Sequence, residues 1–176
     1  MHLARLLKSS RTAIVERWAD LALRVYPRDA TGFLSKEKDR FRNPVGHATR
    51  DGLGVLLDGL LESLPPERTH EALDGIVRIR AVQELTPSQA VGFVFLLKQV
   101  VRDAIGEQAA GEAASSSDLS ALDQRIDRLA LAAFDHYVRC REKVYDLRLG
   151  EIKRRTSAIR QRVEETGPDA NGGCGA

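Results

Sequence analysis

Apolar residues recur at helical spacing along most of the chain, and several of the segments with this spacing are separated by prolines. Between residues 3 and 25 they lie three, four or seven positions apart, which predicts one amphipathic helix ending before Pro27. Asn43 and Pro44 fit an N-cap followed by proline at the first helical position, so a second long helix should begin there. A third helix is predicted over residues 67–81, after a Pro-Pro break.

Two helix-start signals coincide at residues 86–89. Thr86 and Gln89 have the spacing of a capping box, and Pro87 fits the first helical position. The residues that follow, 91–97, are apolar almost all the way round a helix. They predict a core helix that is surrounded by other helices.

The longest predicted helix covers residues 119–163, which contain no proline. It follows a loop, residues 106–117, that is rich in Gly, Ala, Glu and Ser. A helix of this length exceeds the span of one small domain. Its distal part is therefore expected either to extend as a coiled-coil stalk or to fold back at Gly150. Dimerisation is the simplest way to cover an extended apolar stripe.

These elements predict an all-α fold, because the sustained alternation that is typical of strands does not occur. Several helices around one very apolar helix suit a globin-like or bundle arrangement. We predict a globin-like domain over residues 1–148 and a helical extension over 149–165 that leads toward a coiled-coil or dimer interface. Residues 166–176 are Gly-rich and are predicted to be disordered.

Composition narrows the class of protein. The chain of 176 residues carries 27 Lys or Arg and 25 Asp or Glu, a net charge of +2, which argues against a dedicated nucleic-acid binder. No apolar run reaches the roughly 20 residues that a transmembrane helix needs, and the N-terminus lacks a signal-peptide pattern. We therefore expect a cytoplasmic protein with no membrane insertion.

Motifs for catalysis and metal binding are absent from the sequence. No two of the four histidines have the i, i+4 spacing of a helical metal pair, and the two cysteines show neither CxxC spacing nor a Cys/His cluster. There is no nucleophile elbow and no complete glycine-rich phosphate loop. We expect no enzyme activity, no metal and no cofactor, although a single histidine is enough to hold haem in a globin-like fold.

Two arginines lie one residue apart in an apolar segment. Arg78 and Arg80 point to different helix faces, so at least one of them is expected to turn inward. A buried arginine needs a carboxylate, and Asp39, Asp74 and Glu84 are candidates for a structural ion pair. The alternative is a contact with an anion or another ligand inside a sensor pocket.

The predicted interface lies late in the last helix, at five residues that present apolar surface: Phe134, Tyr137, Cys140, Val144 and Leu147. A second copy of the chain would cover them in a homodimer. The alternative is that the same residues pack on the protein's own core.

Three strings carry a resemblance to a known family: DRFRNPVG at 39–46, IVRIRAVQ at 76–83 and TPSQAVGFVFLLK at 86–98. With Trp18 upstream and the VYP string at 25–27, the chain resembles the N-terminal domain of RsbR- and RsbRD-type co-antagonist proteins. The resemblance covers residues 6–105 closely and the last helix loosely.

The resemblance implies a haem-free, globin-like sensory module that dimerises and whose final helix leads into a STAS domain of the bacterial stressosome. This sequence differs from that pattern, because it ends after the long helix, too soon for a STAS domain. We therefore expect a stand-alone sensory or scaffolding domain that relays a signal through its last helices to an unidentified protein partner.

Two alternative functions are compatible with the sequence. One is a globin-like sensor that binds haem or another ligand in its cavity. The other is an adaptor subunit of a redox or sulfur-metabolism complex, which single-domain proteins of this type resemble. The adaptor would use Cys174, whose thiol is predicted to be exposed in the tail.

Overall fold

The first two helices come from one apolar repeat that is interrupted at Ser10. The computed structural model describes residues 2–27, 32–34, 37, 39, 41–62, 64–83, 85–108 and 115–165. Helix α1 spans His2–Ser9 and α2 spans Arg11–Leu23. Ser10 leaves the helical conformation, with φ −101° and ψ 10°, so the prediction of a single helix over residues 3–25 is wrong.

Three of the later helices begin at a proline: α3 (Pro44–Glu62), α4 (Pro66–Val82) and α5 (Pro87–Val91). Helix α6 (Phe93–Gln108) begins after Gly92, and α7 (Ser116–Glu165) begins after Ser115. No strand occurs in the part of the chain that the structure describes. The all-α fold and the long C-terminal helix are therefore confirmed.

The chain divides into two units, Met1–Cys140 and Arg141–Ala176, and α7 contributes residues to both. In the first unit α2 packs on α3 and α6, and α3 packs on α4. Its core contains apolar side chains from each of the helices α1 to α7, among them Leu7, Trp18, Leu57, Leu73, Val91, Phe93, Leu97 and Ile126. Lys98 and Asp127, 2.7 Å apart, form an ion pair between α6 and α7.

The start of α3 is held by Asn43, as the sequence predicts. The buried Asn43 side chain accepts a hydrogen bond from the Gly46 amide at 2.8 Å. Its amide nitrogen donates to the carbonyl oxygens of Leu34, at 2.7 Å, and Glu37, at 2.9 Å. A Cβ atom on Gly46 would lie 2.3 Å from that amide nitrogen. Glycine is therefore needed for this cap, which also ties the preceding loop to α3.

Candidate interaction surface

An apolar groove of about 500 Å³ opens on the first unit between α5, α6 and α7. No charged side chain is among the described residues that line it: Pro87, Ser88, Val91, Gly92, Phe95, Ala130, Leu131 and Phe134. Concave apolar sites of this kind are typical places for a ligand or a partner side chain.

Large apolar side chains stand exposed at the rim of this groove. Phe95 is 49% exposed, Leu131 68% and Phe134 46%, and Val138 lies one helical turn beyond Phe134. We call these four residues the groove rim. Contiguous exposed apolar surface marks sites of protein interaction in soluble proteins.

The apolar segment 91–97 borders the groove and does not form one buried helix. Gly92 separates α5 from α6, and a Cβ atom on it would lie 2.7 Å from the Ser88 carbonyl oxygen. In α6, Phe93 is buried, whereas Phe95, two residues further on and therefore on the opposite face of the helix, is half exposed. The expectation of a helix surrounded on all sides is therefore wrong at Phe95.

The short helix α5 is fixed at its start by the predicted capping box. The Thr86 hydroxyl accepts from the Gln89 amide at 3.3 Å, and the Gln89 side chain accepts from the Thr86 amide at 3.0 Å. Pro87 occupies the first turn. This wall of the groove is therefore positioned by local sequence signals.

The C-terminal carbonyls of α2 and α5 converge on Arg80. Its guanidinium donates to the Ala22 carbonyl oxygen at 2.9 Å and, over longer distances, to those of Gln89 at 3.4 Å and Ala90 at 3.5 Å. The side chain is only 2% exposed, and burial lowers the pKa of its guanidinium. Carbonyls at helix C-terminal ends carry partial negative charge, so they substitute for a carboxylate here.

Aromatic residues complete the surroundings of Arg80. Its Cζ atom lies 4.6 Å from the centroid of the Phe93 ring. Trp18 stacks on Phe93 with a centroid distance of 6.3 Å, and the Trp18 indole donates to the Phe93 carbonyl oxygen at 2.7 Å. Arg80, Phe93 and Trp18 thus join α2, α4, α5 and α6 directly beneath the groove wall.

The other two members of the predicted Arg/Asp set lie elsewhere. Arg78 is exposed and pairs with Asp74 one turn before it on α4. The Asp39 carboxylate accepts from the Phe41 amide at 2.8 Å within a local turn. Glu84 lies outside the described residues. The structure therefore brings Arg80 together with carbonyls and a ring, and not with Asp39 or Asp74.

The five predicted interface residues fall in different environments. Phe134 belongs to the groove rim, whereas Tyr137 is buried and donates to the Leu85 carbonyl oxygen at 2.7 Å. Cys140 packs partly against the core. In the second unit Val144 is half-buried and Leu147 is exposed. Cys174 lies outside the described residues.

A histidine pair that the sequence did not indicate lies between α4 and α7. The rings of His70 and His136 meet edge to face, 5.7 Å apart, and the Asp74 carboxylate is 3.7 Å from His136 Nδ1. Burial and the nearby Arg139 lower the pKa of His136, and Asp74 offsets part of this effect. The two histidines are 66 residues apart, so only the tertiary packing brings them together.

A second cleft, of about 430 Å³, is polar and lies between α2 and α3. Its arginines pair with carboxylates that lie in the cleft or next to it. Arg11 holds Asp58 through two bonds of 2.7 Å, which raises the pKa of Arg11, and Arg50 lies 3.3 Å from Glu16. Because the charges are matched within the protein, this cleft is a weaker candidate for binding than the groove.

The described residues contain neither a candidate metal site nor a candidate membrane-spanning helix. No group of three His, Cys, Asp or Glu side chains with metal-binding geometry occurs among the described residues. No helix in the described ranges is long and apolar enough to cross a bilayer.

Comparison with known proteins identifies a family. The sequence model of the RsbT co-antagonist protein RsbRD N-terminal domain matches residues 12–151, which is most of the chain. The chain belongs to this family. No curated protein and no solved structure matches it. The matched region contains α3 to α6, the residues Trp18, Arg80 and Phe93, and the whole groove rim. The resemblance found in the sequence is thereby confirmed.

Membership in this family identifies the chain as a signalling domain related to the stressosome. The matched residues extend past Cys140 into the second unit, so the family pattern includes the beginning of the distal part of α7.

Proposed function

We propose that this protein is a non-enzymatic signalling module that forms a homodimer through the groove rim. The proposal is based on the groove itself, where Phe95, Leu131 and Phe134 are exposed on a helical surface and no described lining residue is charged. A signalling family supplies the context. The module would receive a stimulus in the first unit and relay it to a protein partner through α7.

A second copy of the chain is the occupant that fits this surface best. A two-fold dimer requires a patch that is complementary to itself. The groove supplies a concave apolar half, and the rim residues Leu131 and Phe134 supply a convex one. Lys98, whose Nζ atom lies 5.8 Å from the Phe95 ring centroid, is paired with Asp127, so its charge beside the groove is matched within the chain.

Helix α7 is suited to the relay because its two faces have different surroundings. Ile126, Ala133 and Tyr137 are buried in the core, whereas Leu131 and Phe134 face the groove. A change in core packing would shift or rotate this helix and thereby change the dimer surface. Small helix shifts at subunit interfaces are a common mechanism of allosteric transmission.

Light scattering coupled to gel filtration tests the proposal. The wild-type chain should show about twice its mass of 19.4 kDa, and Phe134→Asp should show the monomer mass. Phe41→Asp is the matched control, since Phe41 is 94% exposed and does not line the groove. A wild-type monomer at tens of micromolar, or equal dissociation in both variants, would overturn the proposal.

A further inference from the structure

The second unit carries a separate apolar stripe on α7. Its members are spaced alternately four and three residues apart, and we call them the distal seam: Tyr145, Leu149, Ile152, Thr156 and Ile159. The four large apolar members are between 51 and 63% exposed. Alternating spacings of four and three are those of the a and d positions of a coiled coil.

The positions beside the distal seam are strongly basic. On one side arginine recurs every seven residues, at Arg141, Arg148, Arg155 and Arg162, and on the other side lie Asp146, Lys153 and Arg160. Residues 141–162 contain eight Lys or Arg and three Asp or Glu, a net charge of +5, whereas the whole chain has a net charge of +2. Positive charge is therefore concentrated next to the seam.

Pairing of the seam with a second copy would bring like charges together. In a parallel coiled coil the g position of one helix meets the e position of the next heptad on its partner. Arg148 would then face Lys153 and Arg155 would face Arg160, with only Arg141 and Asp146 attractive. Antiparallel pairing would bring the two arginine rows face to face. These flanking charges disfavour pairing with a second copy of the chain and favour a partner whose flanking residues are acidic.

We infer that the distal seam binds an acidic amphipathic helix of a different protein, with glutamate or aspartate beside its own apolar heptad stripe. Its carboxylates would pair with Arg148, Lys153 and Arg160 and would compete for Arg155 with Glu151, which lies one turn before it and 2.5 Å from its guanidinium. Its apolar residues would cover Ile152 and Ile159. The inference deepens the proposed function and rests on it, because it names the chemistry of the partner that receives the signal. It assigns that partner to the distal seam and the second copy to the groove rim.

An anionic membrane surface is the competing occupant for a basic amphipathic helix. The seam is narrow, since it has about two apolar positions per heptad, and it includes the polar Thr156. A helix that lies in a bilayer interface usually has a broader apolar face. The spacing and the arginine row therefore favour a helical protein partner.

The test uses the full chain and two designed peptides of four heptads. Both peptides carry Leu and Ile at the a and d positions, and the e and g positions are all glutamate in one and all lysine in the other. Fluorescence anisotropy should show binding of the glutamate peptide only. The double variant R148E/R155E should weaken this binding by at least about tenfold and gain binding of the lysine peptide.

Arg154→Glu is the matched control, because Arg154 is exposed on the same helix but lies away from the seam. It should change binding by less than about threefold. Equal binding of both peptides, or equal weakening by R148E/R155E and Arg154→Glu, would overturn the inference. So would binding to phosphatidylserine vesicles that exceeds binding to the glutamate peptide.

Light scattering on the same variants separates this inference from the dimer proposal. R148E/R155E should keep the mass of the wild-type dimer, and Phe134→Asp should still bind the glutamate peptide as a monomer. A wild-type chain that is dimeric but does not bind the glutamate peptide would overturn the partner assignment alone. A monomeric wild type that binds the peptide would overturn the dimer alone.

Discussion

The Arg80 guanidinium lies over the Phe93 ring, 4.6 Å from its centroid, and is held there by backbone carbonyls. This pair connects the buried core to the short helix that forms one wall of the groove. A buried cation without a described carboxylate partner is costly unless donors and acceptors match. Arg80 is therefore expected to be a main determinant of the stability of the first unit.

Arg80→Met should lower the free energy of unfolding by about 2 to 4 kcal/mol, because the Ala22, Gln89 and Ala90 carbonyls lose their donor. Arg80→Lys should also destabilise, since a single ammonium group cannot serve carbonyls on two helices. Urea denaturation followed by circular dichroism measures both changes. An Arg80→Met variant as stable as the wild type would show that the guanidinium does not hold these helix ends.

Two phenylalanines two residues apart should respond in opposite ways. Phe93→Ala should cost about 3 to 5 kcal/mol of stability, because Phe93 is buried against Trp18. Phe95→Ala should cost less than about 1 kcal/mol but weaken self-association, because Phe95 is half exposed at the groove rim. Chemical denaturation and sedimentation velocity measure the two properties separately. If Phe95→Ala unfolds the protein as readily as Phe93→Ala, the assignment of Phe95 to a surface is wrong.

Asn43→Ala should lower stability by about 1 to 3 kcal/mol, since it removes the cap of α3 together with two bonds to the preceding loop. Gly46→Ala should have a comparable effect by displacing the same side chain. The double variant should lose less stability than the sum of the losses in the two single variants, because both substitutions disrupt the same cap at Asn43. Fully additive costs in thermal denaturation would argue against this shared cause.

Acidification should act on the first unit through His136, whose pKa is lowered in the folded protein by burial and by Arg139. The unfolded chain then binds more protons than the folded one as the pH falls below the ordinary histidine pKa of about 6.5. Stability is therefore lost as the pH falls through that value toward the lower folded pKa. His136→Gln should show a shallower decline of the urea midpoint between pH 7.5 and 5.5. An identical slope for His136→Gln and the wild type would contradict the assignment of this pH dependence to His136.

Local signals in the sequence predicted the helix starts, because each depends on residues within one turn. Asn43 caps α3, and Thr86 and Gln89 form the capping box of α5. The interruption at Ser10 was missed because the apolar spacing continues across it. A serine that leaves the helix for a single residue has no distinctive pattern.

The partners of Arg80 and His136 could not be predicted, because they depend on packing between distant segments. The Ala22 carbonyl that accepts from Arg80 is 58 residues away. Every residue has a backbone carbonyl group, so the residue type does not indicate which one accepts this bond. In α7 the sequence contains two apolar stripes close together. The stripe that contains Ala133 and Tyr137 is buried in the core, whereas Leu131 and Phe134 are exposed and belong to the groove rim.

Photo-crosslinking at the groove tests the central claim most directly. A photoreactive phenylalanine analogue placed at Phe95 should link two copies of the chain on irradiation, and mass spectrometry should map the linked peptide to residues 87–95 or 130–138 of the second copy. The same analogue at Phe41 should give little crosslinked dimer. Equal yields at the two positions, or crosslinks from Phe95 only within one chain, would contradict a dimer formed through the groove rim.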